Sequence, residues 1–327
     1  MNKQILYDTF STLHLDAMWR LFHKSPCVLF YHGVAGAPDP IIETESIAVS
    51  DFVSQIKYLK RNYHIITVSE FEERFTLNDW DGDEVLLTFD DGYKNILTTA
   101  LPILEDFNVP FNIFLTSNNI NDGNLFPTTV ARLVILASSL QHLHLKSCGI
   151  DVPLTINNRR TVAASVSNEL KTRSLSEVKS ITNELLNSIS EDELYFLRDK
   201  YFSINPLSWE EARMVANSSL CTVGSHCLDH ICCHSKQNMQ DVQIQLKESK
   251  EVIEKQLGVV CEYFAYPNGS FTTESNLILQ NVGYKLGFST RRLPINSLTK
   301  WNIPRLYVPY NYSRFVYYLV NYPKLIR

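Results

Sequence analysis

The sequence contains no apolar run that approaches the roughly 18 residues needed to cross a lipid bilayer. It also lacks Cys-x-x-Cys pairs, although it contains 7 cysteines. Because thiolate zinc sites usually show that paired spacing, we interpret the cysteines as reduced thiols, which indicates a cytoplasmic protein. A thiolate zinc site is the alternative, since several cysteines lie close to two histidines: Cys221, Cys227, Cys232 and Cys233.

The chain also has no stripe of basic residues. Its formal net charge is -5 and its isoelectric point is about 6.0, with Lys and Arg scattered throughout. A nucleic-acid-binding surface concentrates basic residues, so the sequence argues against a nucleic-acid partner. Internal repeats and low-complexity tracts are absent as well. With 327 residues and 45% hydrophobic content, the chain can bury one barrel-sized core or two smaller ones.

The two ends of the sequence are polar or amphipathic. Residues 1–10 are too polar for a secretory signal peptide, which again favours the cytoplasm. The segments Tyr7 to Phe22 and Tyr307 to Tyr322 mix aromatic and aliphatic residues with charges. Such segments can lie on a membrane surface, so a peripheral contact with the inner membrane is one interpretation. The other is that both pack on the domain as terminal helices.

Short apolar strands alternate with helical patterns along most of the chain. The predicted strands are Cys27–Tyr31, Ile65–Val68, Val85–Phe89, Phe111–Leu115, Cys221–Ser225, Tyr263–Tyr266, Lys285–Phe288 and Arg305–Val308. This alternation predicts an α/β fold with a parallel sheet, and seven or eight such units indicate a barrel. In a barrel of this kind, the chemistry lies at the carboxyl ends of the strands.

Helices are predicted between the strands, at residues 51–62, 69–75, 93–107, 240–257 and 273–281. The helix that begins at Ser69 carries a capping-box pattern, with Glu72 as the partner. Gly258 and Gly283 follow the last two helices and should end them.

Residues 120–206 break the alternation. Their apolar residues recur mostly at helical spacing, for example from Thr128 to Gln141, so we predict a mostly helical insertion. An insertion at this place can be a lid or a surface for a substrate or partner. We therefore divide the chain into an N-terminal helix (1–26), a barrel (27–119 and 207–327) and the insertion (120–206).

Two adjacent carboxylates follow one of the buried strands. The apolar run Val85–Phe89 ends in Asp90, Asp91 and Gly92. Ionised groups in such a place are costly to bury unless a cation or a reaction partner stabilises them. Two neighbouring carboxylates can take separate tasks, one binding a metal and the other moving protons. The alternative is an ordinary strand followed by an Asp-Gly turn.

Two histidines lie four residues apart in a second polar segment, at His226 and His230. On a helix-like turn, this spacing puts both imidazoles on one side. Two imidazoles and one carboxylate form a common ligand set that leaves metal positions open for water and substrate. A single His-x-x-x-His pair is weak on its own, but the nearby carboxylate pair favours a mononuclear metal site.

These residues lie in three motifs that occur in this order in a known family. The segments Thr88–Gly92, Ser225–His230 and Phe264–Gly269 resemble the signatures of polysaccharide deacetylases, the carbohydrate esterase family 4 or NodB-homology group. The resemblance covers about residues 27–117 and 207–309. It implies a distorted (β/α) barrel of about seven strands and a metal-dependent hydrolase that removes N-acyl groups from sugars.

The resemblance also implies roles for individual residues. Asp90 would be the general base, and one divalent ion, usually zinc in this family, would be held by three ligands: Asp91, His226 and His230. The substrate groove would be shaped by four consecutive residues: Tyr266, Pro267, Asn268 and Gly269. The backbone N–H of Tyr266 would help to hold the oxyanion.

The sequence departs from the common family pattern in two places. No Leu-x-x-His motif, which supplies the general acid in many members, follows residue 270. Phe30-Tyr31-His32 instead resembles the Tyr-His motif of a subgroup related to exopolysaccharide N-deacetylases, so we assign the acid to His32. The arginine that often pairs with the base is also missing from its usual motif, which begins here with Glu262. Arg305 is the replacement that we predict.

The resulting hypothesis is an N-deacetylase that removes an acetyl or formyl group from an amino sugar. A cytoplasmic location would favour a lipid-linked or nucleotide-linked precursor of a bacterial surface glycan, such as a lipopolysaccharide O-antigen or capsule intermediate. The alternatives are a catalytically inactive barrel that binds a glycan or a partner, and a metal amidase that acts on a non-sugar amide.

Overall fold

The computed structural model describes residues 3–22, 25–291 and 298–321, without the side chains of residues 21 and 22. Its strands are β1 Cys27–Tyr31, β2 Gly33–Ala35, β3 Ser46–Ala48, β4 His64–Ile66, β5 Glu84–Phe89, β6 Phe111–Leu115, β7 His142–Leu145, β8 Ile150–Pro153, β9 Cys221–Ser225, β10 Tyr263–Ala265, β11 Leu286–Ser289, β12 Ile303–Pro304 and β13 Leu306–Tyr307. The predicted bounds of β1, β6 and β9 are confirmed.

Its α-helices are α1 Lys3–Thr12, α2 Leu15–Phe22, α3 Val49–Asn62, α4 Val68–Leu77, α5 Leu101–Asp106, α6 Ser117–Asp122, α7 Pro127–Arg132, α8 Arg159–Thr172, α9 Leu175–Leu186, α10 Glu191–Lys200, α11 Trp209–Ala216, α12 Met239–Leu257, α13 Thr273–Val282 and α14 Tyr312–Val320. Wider π-type turns span Ile96–Ala100 and Leu133–Ala137, and short 3-10 turns span Lys146–Cys148, Phe202–Ile204 and Pro267–Gly269.

The large sheet is parallel throughout and curls into a nearly closed barrel. Its order is β12-β11-β10-β9-β6-β5-β1-β13, and β4 pairs with the first half of β5. Strands β1, β5 and β6 are buried along their whole length. Continuous apolar runs suit such strands, because the barrel interior covers one face and the helices cover the other. The predicted distorted (β/α) barrel is confirmed.

One bent strand closes the barrel. Segments β12 and β13 are separated only by Arg305, and they pair with β11 and β1, respectively. The N–H of Arg305 donates to the carbonyl of Ser289 (2.8 Å), so this residue still belongs to the edge of the sheet. The bend therefore puts Arg305 beside the first strand, at the end of the barrel where the other strands finish.

The insertion buries a core of its own. Apolar residues from Leu125 to Ile204 form a cluster separate from the barrel core, and Ile42 of the barrel also joins it. The insertion is mostly helical, as predicted, but it also contains the antiparallel hairpin β7–β8, which we did not predict. In β7, exposed and buried residues alternate, so Leu143 and Leu145 enter the insertion core.

Two local predictions were wrong in detail. Helix α4 begins at Val68, and its N-cap is Thr67, whose hydroxyl accepts from the N–H of Glu70. The predicted capping residue, Ser69, lies inside the helix because the strand before it ends early, at Ile66. The predicted helix at 93–107 is also not regular, since a π-type turn precedes α5. The stops at Gly258 and Gly283 are confirmed, both in left-handed conformation.

The N-terminal segment forms two helices rather than the single one predicted. Tyr7 of α1 packs against Tyr317 of α14, with ring centroids 5.0 Å apart, and Phe10 meets the same ring at 5.3 Å. The two terminal segments therefore pack together on the barrel. No helix in the described ranges is long and apolar enough to cross a membrane. The C-terminal Lys324 and Arg327 lie outside the described residues.

Candidate active site

The polar residues singled out in the sequence gather at the carboxyl end of the barrel. Each follows a strand directly or after a short turn: His32 after β1, Asp90 and Asp91 after β5, His226 and His230 after β9, Tyr266 after β10 and Arg305 after β12. Strand ends that lie far apart in sequence meet here because neighbouring strands are parallel and in register.

Three side chains converge closely enough to share one cation. The Nε2 atoms of His226 and His230 lie 3.5 and 3.3 Å from Oδ1 of Asp91. The ligand atoms of all three lie within 4.8 Å of one another, the only such His, Cys, Asp and Glu group found among the described residues. Oδ1 of Asp91 is buried and has no hydrogen-bond partner in the described part of the chain.

A divalent ion fits this group. A tetrahedral site with metal–ligand distances of about 2.0–2.1 Å separates its ligand atoms by about 3.3 Å, close to the separations seen between Asp91 and the imidazoles. An orphaned buried oxygen costs free energy, and an ion held between Asp91, His226 and His230 would supply the missing partner. Three protein ligands would leave at least one position of a four-coordinate ion for water or substrate, as catalytic sites require.

His226 is held in the tautomer that a metal ligand needs. Its Nδ1 lies 2.7 Å from the carbonyl oxygen of Ala265, so Nδ1–H donates and Nε2 presents its lone pair to Asp91. Burial, opposed in part by the nearby Asp90, lowers the pKa of His226 to about 4. The imidazole is therefore neutral at physiological pH and ready to bind a cation.

Asp91 is ionised in the same surroundings. Burial acts to raise the pKa of its carboxyl group, but the imidazoles of His230, His32 and His226 together outweigh burial and hold this pKa well below its usual value. The backbone of Asp91 is left-handed (φ 73°) and is followed by Gly92 (φ 89°). A Cβ on Gly92 would lie 2.9 Å from the Leu115 side chain, so glycine is required at the turn that aims the carboxylate.

Contrary to our prediction, the two histidines do not lie on a helix-like turn. Residues 226–230 form a loop in which Cys227 (φ 69°) and His230 (φ 55°) are left-handed. Non-glycine residues in this conformation are strained and persist only where surrounding contacts impose them. The imidazoles still meet edge to face, with ring centroids 5.0 Å apart. The loop backbone, rather than helical spacing, brings them together.

Asp229 supplies the contacts that impose this loop. Its carboxylate accepts from Asn118 Nδ2 (2.7 Å) and Gln245 Nε2 (2.7 Å) and pairs with Lys179 of the insertion (3.0 Å). Its N–H donates to the side chain of Gln245 (2.8 Å). Asp229 thus ties the segment before His230 to α6, α9 and α12.

Asp90, the adjacent carboxylate, is paired with a cation. Its Oδ1 and Oδ2 atoms each accept a hydrogen bond of 2.7 Å from the guanidinium group of Arg305. Arg305 also donates to the hydroxyl of Thr88 (3.0 Å), and its guanidinium lies between the rings of Phe30 (4.8 Å) and Phe114 (5.4 Å). The side chain of Arg305 is completely buried. The arginine expected beside the base is present, and the closing strand supplies it.

The ion pair keeps Asp90 negatively charged. Burial acts to raise the pKa of Asp90, but Arg305 and then His226 outweigh it, so the pKa lies below its ordinary value. Nε2 of His226 is 4.0 Å from Oδ2 of Asp90. A carboxylate that is ionised and beside the metal ligands can accept a proton from a water molecule in the cavity.

His32 lies across the cavity from the carboxylates and contacts a second acidic group. Its Nδ1 is 3.6 Å from Oε2 of Glu45, which in turn pairs with Arg132 of the insertion at 3.2 Å. The imidazole packs edge-on against Phe30, and Tyr307 lies on another side. Neither Glu45 nor Arg132 was predicted, because nothing in the sequence near them marks a site.

Tyr266 differs from its predicted role. Its N–H donates to the carbonyl of Phe288 (2.9 Å), so it is not free to hold an oxyanion. Its ring is fully buried, and its hydroxyl donates to Asn276 (2.8 Å). The next residues, Pro267–Gly269, form a turn in which Asn268 is left-handed and faces the cavity. Asn268 is thus the accessible polar side chain of this motif, whereas Tyr266 is buried.

A cavity of about 250 Å³ lies over these groups. The barrel supplies its floor, with the metal-ligand group and Asp90. The insertion supplies part of its wall through Phe126, Thr128, Arg132, Ser167 and Lys171. The sequence predicted a lid or binding surface in this segment but not which residues would reach the site.

Comparisons with known proteins bear on the family and the fold of the chain. A stretch of 124 residues, 38% of the chain, is 29% identical to the poly-beta-1,6-N-acetyl-D-glucosamine N-deacetylase of Staphylococcus epidermidis and spans 42% of that protein. The Streptococcus pyogenes deacetylase PplD in complex with acetate has a similar fold (TM-score 0.59, 15% identity, 92% of this chain and 100% of that chain). So does IcaB from Ammonifex degensii (TM-score 0.57, 18% identity, 91% and 97%). The sequence model for polysaccharide deacetylases matches residues 78–287, a range that runs through the insertion, and the chain therefore belongs to the polysaccharide deacetylase family.

Proposed function

We propose that this protein is a metal-dependent hydrolase that removes an N-acetyl or N-formyl group from an amino sugar of a bacterial surface-glycan precursor. The observation that carries the proposal is the orphaned Oδ1 of Asp91 between two imidazole nitrogens, directly beside the ionised Asp90. Zinc is the ion that we propose, because its preferred ligands and tetrahedral spacing match this group.

The residues around the centre divide the reaction between them. A bound divalent ion would act as a Lewis acid toward the acyl group and acidify water. Asp90, kept ionised by Arg305, accepts a proton from the attacking water. His32 gives a proton to the departing amine, which is a poor leaving group without it. One water molecule is consumed, and the products are a free amino sugar and acetate or formate.

A second cavity next to the centre supports a glycan as the substrate. It has a volume of about 520 Å³ and shares Phe30 and Thr290 with the cavity over the metal ligands. Its wall includes Tyr307 and Tyr310, which are 41% and 40% exposed, together with Tyr318. Exposed tyrosines offer a flat apolar face and a hydroxyl, which suits sugar rings.

We further propose that the reaction takes place in the cytoplasm, on a lipid-linked or nucleotide-linked precursor. All seven cysteines are free, including the buried Cys227 and Cys233, which lie in the loop of the metal ligands. Free cysteines at this density suit a reducing compartment.

Metal content and acyl release test the proposal together. In Asp91→Asn and His226→Ala we expect loss of bound zinc and of acetate release from N-acetylated amino sugars, whereas Asp90→Asn keeps the metal and loses turnover. His142→Ala is a matched control, since His142 is 56% exposed on the hairpin of the insertion. Full metal content in His226→Ala would refute the ligand assignment. A metal-loaded wild type that binds N-acetylated sugars and releases no acyl group would point to an inactive binding protein.

A further inference from the structure

A third cavity, of about 370 Å³, adjoins the catalytic cavity. The two cavities share Lys171 and Asn268. The wall of the third cavity also contains Lys236 and Arg291, and the described part of the wall contains no acidic residue. We call it the cationic cavity. His234 also lines this cavity and does not line the catalytic cavity.

The cations of this cavity come from three separate parts of the chain. Lys171 ends the first long helix of the insertion, Lys236 lies in the loop that begins at His226, and Arg291 follows β11. In the part of the chain that the structure describes, none of the three has an acidic partner within ion-pair distance, whereas the nearby Arg132, Arg173 and Lys179 each pair with a carboxylate. Like charges that converge without a counter-ion raise the potential of the cavity, which favours an anionic ligand.

Arg291 is held in place for such a ligand. Its guanidinium lies over the ring of Phe271 at 5.1 Å and donates to the carbonyl of Phe271 (3.2 Å) and the hydroxyl of Ser270 (3.3 Å). The remaining N–H groups of the guanidinium are free of acidic partners in the described residues. A planar guanidinium fixed in this way binds phosphate oxygens with little loss of side-chain entropy. The hydroxyl groups of Ser235 and Ser270 line the same cavity and can donate neutral hydrogen bonds, whereas the hydroxyl of Thr172 donates to the carbonyl of Asn168 (3.0 Å).

From this arrangement we infer that the cationic cavity binds the diphosphate of a glycosyl diphosphate while the attached amino sugar lies over Asp90 and Asp91. This inference rests on the proposed function and names its substrate class. A diphosphate diester carries about two negative charges and several acceptor oxygens, which matches three cations and two hydroxyl donors better than a single carboxylate does. The group beyond the diphosphate is a nucleoside or a polyprenyl chain, and both share this chemistry.

The first experiment measures binding without catalysis. Inorganic pyrophosphate is titrated into metal-free protein by calorimetry, because removal of the metal excludes binding through chelation. We expect Lys236→Gln and Arg291→Gln each to weaken binding about tenfold, the loss typical of one charge-assisted hydrogen bond. Lys247→Gln is the matched control, since it changes the net charge equally on an exposed face of α12 and should bind as wild type does. Absence of binding to wild type, or equal weakening in the control, overturns the inference.

The second experiment compares substrates on metal-loaded enzyme. The same N-acetylated sugar is offered as a methyl glycoside, a nucleoside diphosphate conjugate and a polyprenyl diphosphate conjugate. We expect a higher kcat/KM for one of the two diphosphate conjugates, which identifies the group beyond the diphosphate. In Lys236→Gln, the ratio of this kcat/KM to that of the methyl glycoside should fall. Equal kcat/KM for all three compounds overturns the inference while leaving the proposed function intact. If no compound is hydrolysed, the proposed function fails, whereas pyrophosphate binding still reports on the cavity.

Discussion

The ion pair between Asp90 and Arg305 makes a strong prediction about stability. Both side chains are buried, and each oxygen of the carboxylate accepts a bond of 2.7 Å from the guanidinium. Removal of one member of a buried pair leaves an uncompensated charge, which typically costs about 3–5 kcal/mol. Arg305→Met keeps apolar volume between Phe30 and Phe114 but removes the charge. We therefore expect the free energy of unfolding of Arg305→Met to fall by about 3–5 kcal/mol at neutral pH.

The fall in unfolding free energy that Arg305→Met causes should become smaller as the pH is lowered. In the wild type, the lowered pKa of Asp90 contributes stability above the unfolded-state pKa of about 3.9, and this contribution disappears as the pH falls through the folded-state pKa. Without Arg305, burial is the largest remaining effect on Asp90, and it raises the pKa. Acidification from pH 7 toward pH 4 therefore protonates Asp90 in the variant and relieves its destabilisation, whereas the wild type loses its own contribution only below about pH 3.9. The difference in stability between the two proteins should therefore shrink from pH 7 toward pH 4.

Urea unfolding of metal-free protein is the appropriate assay, since a bound cation would add its own stabilisation. The double variant Asp90→Asn/Arg305→Met is the control, because it removes both charges and should be more stable than either single variant. Two results would refute the reasoning: a single Arg305→Met variant as stable as wild type, or a double variant no more stable than the singles. Either would mean that the two charges are solvated in solution and do not depend on each other.

Three further variants test neighbouring parts of the site. His32→Ala should retain full metal content and lose about 10²- to 10⁴-fold in turnover, measured by acetate release, and near wild-type turnover would place the acid elsewhere. Tyr266→Phe loses only the bond to Asn276, so we expect about 1 kcal/mol less stability in urea and an unchanged kcat; a large fall in kcat would restore a catalytic role for this residue. Asp229→Asn keeps every ligand but loosens the loop before His230, so zinc affinity in chelator competition should fall about 10- to 100-fold, and an unchanged affinity would contradict its positioning role.

Strands of the barrel could be predicted because the residue pattern that marks a strand lies within the strand itself. Strands β1, β6 and β9 begin and end at the predicted residues. Strands β1 and β6 are short, largely apolar runs, and burial along their whole length demands that composition. Strand β9 is more polar and is fully buried only in its second half, so its signal is weaker. The hairpin β7–β8 also left a local signal, the alternation His142-Leu143-His144-Leu145, which we did not use. There the helical pattern that precedes the hairpin hid a strand pattern of only four residues.

The shape of the histidine loop was not predictable in the same way. The resemblance predicted that Asp91, His226 and His230 act together, and the structure brings them together, but helical spacing was the wrong reason for their convergence. Left-handed conformations at Cys227 and His230 could not be predicted from the local sequence, because cysteine rarely adopts them and histidine, although enriched there, mostly adopts other conformations. They are imposed by Asp229, whose partners Gln245 and Lys179 lie on helices that are distant in sequence. Backbone conformations that tertiary contacts impose cannot be predicted from the periodicity of the sequence.

In a barrel, a functional residue need not lie in one particular sequence motif, and Arg305 is an example. The expected arginine is absent from its usual position, which Glu262 occupies before β10. The closing strand pairs with β1, and β1 pairs with β5, so a side chain at the bend between β12 and β13 reaches the carboxylate that follows β5. Asp90 needs a buried cation with two donors aimed at its oxygens, and a neighbouring strand end can supply it without moving the carboxylate. The requirement is therefore spatial, and a search for the counter-ion of the base should extend over all strand ends of the barrel rather than one motif.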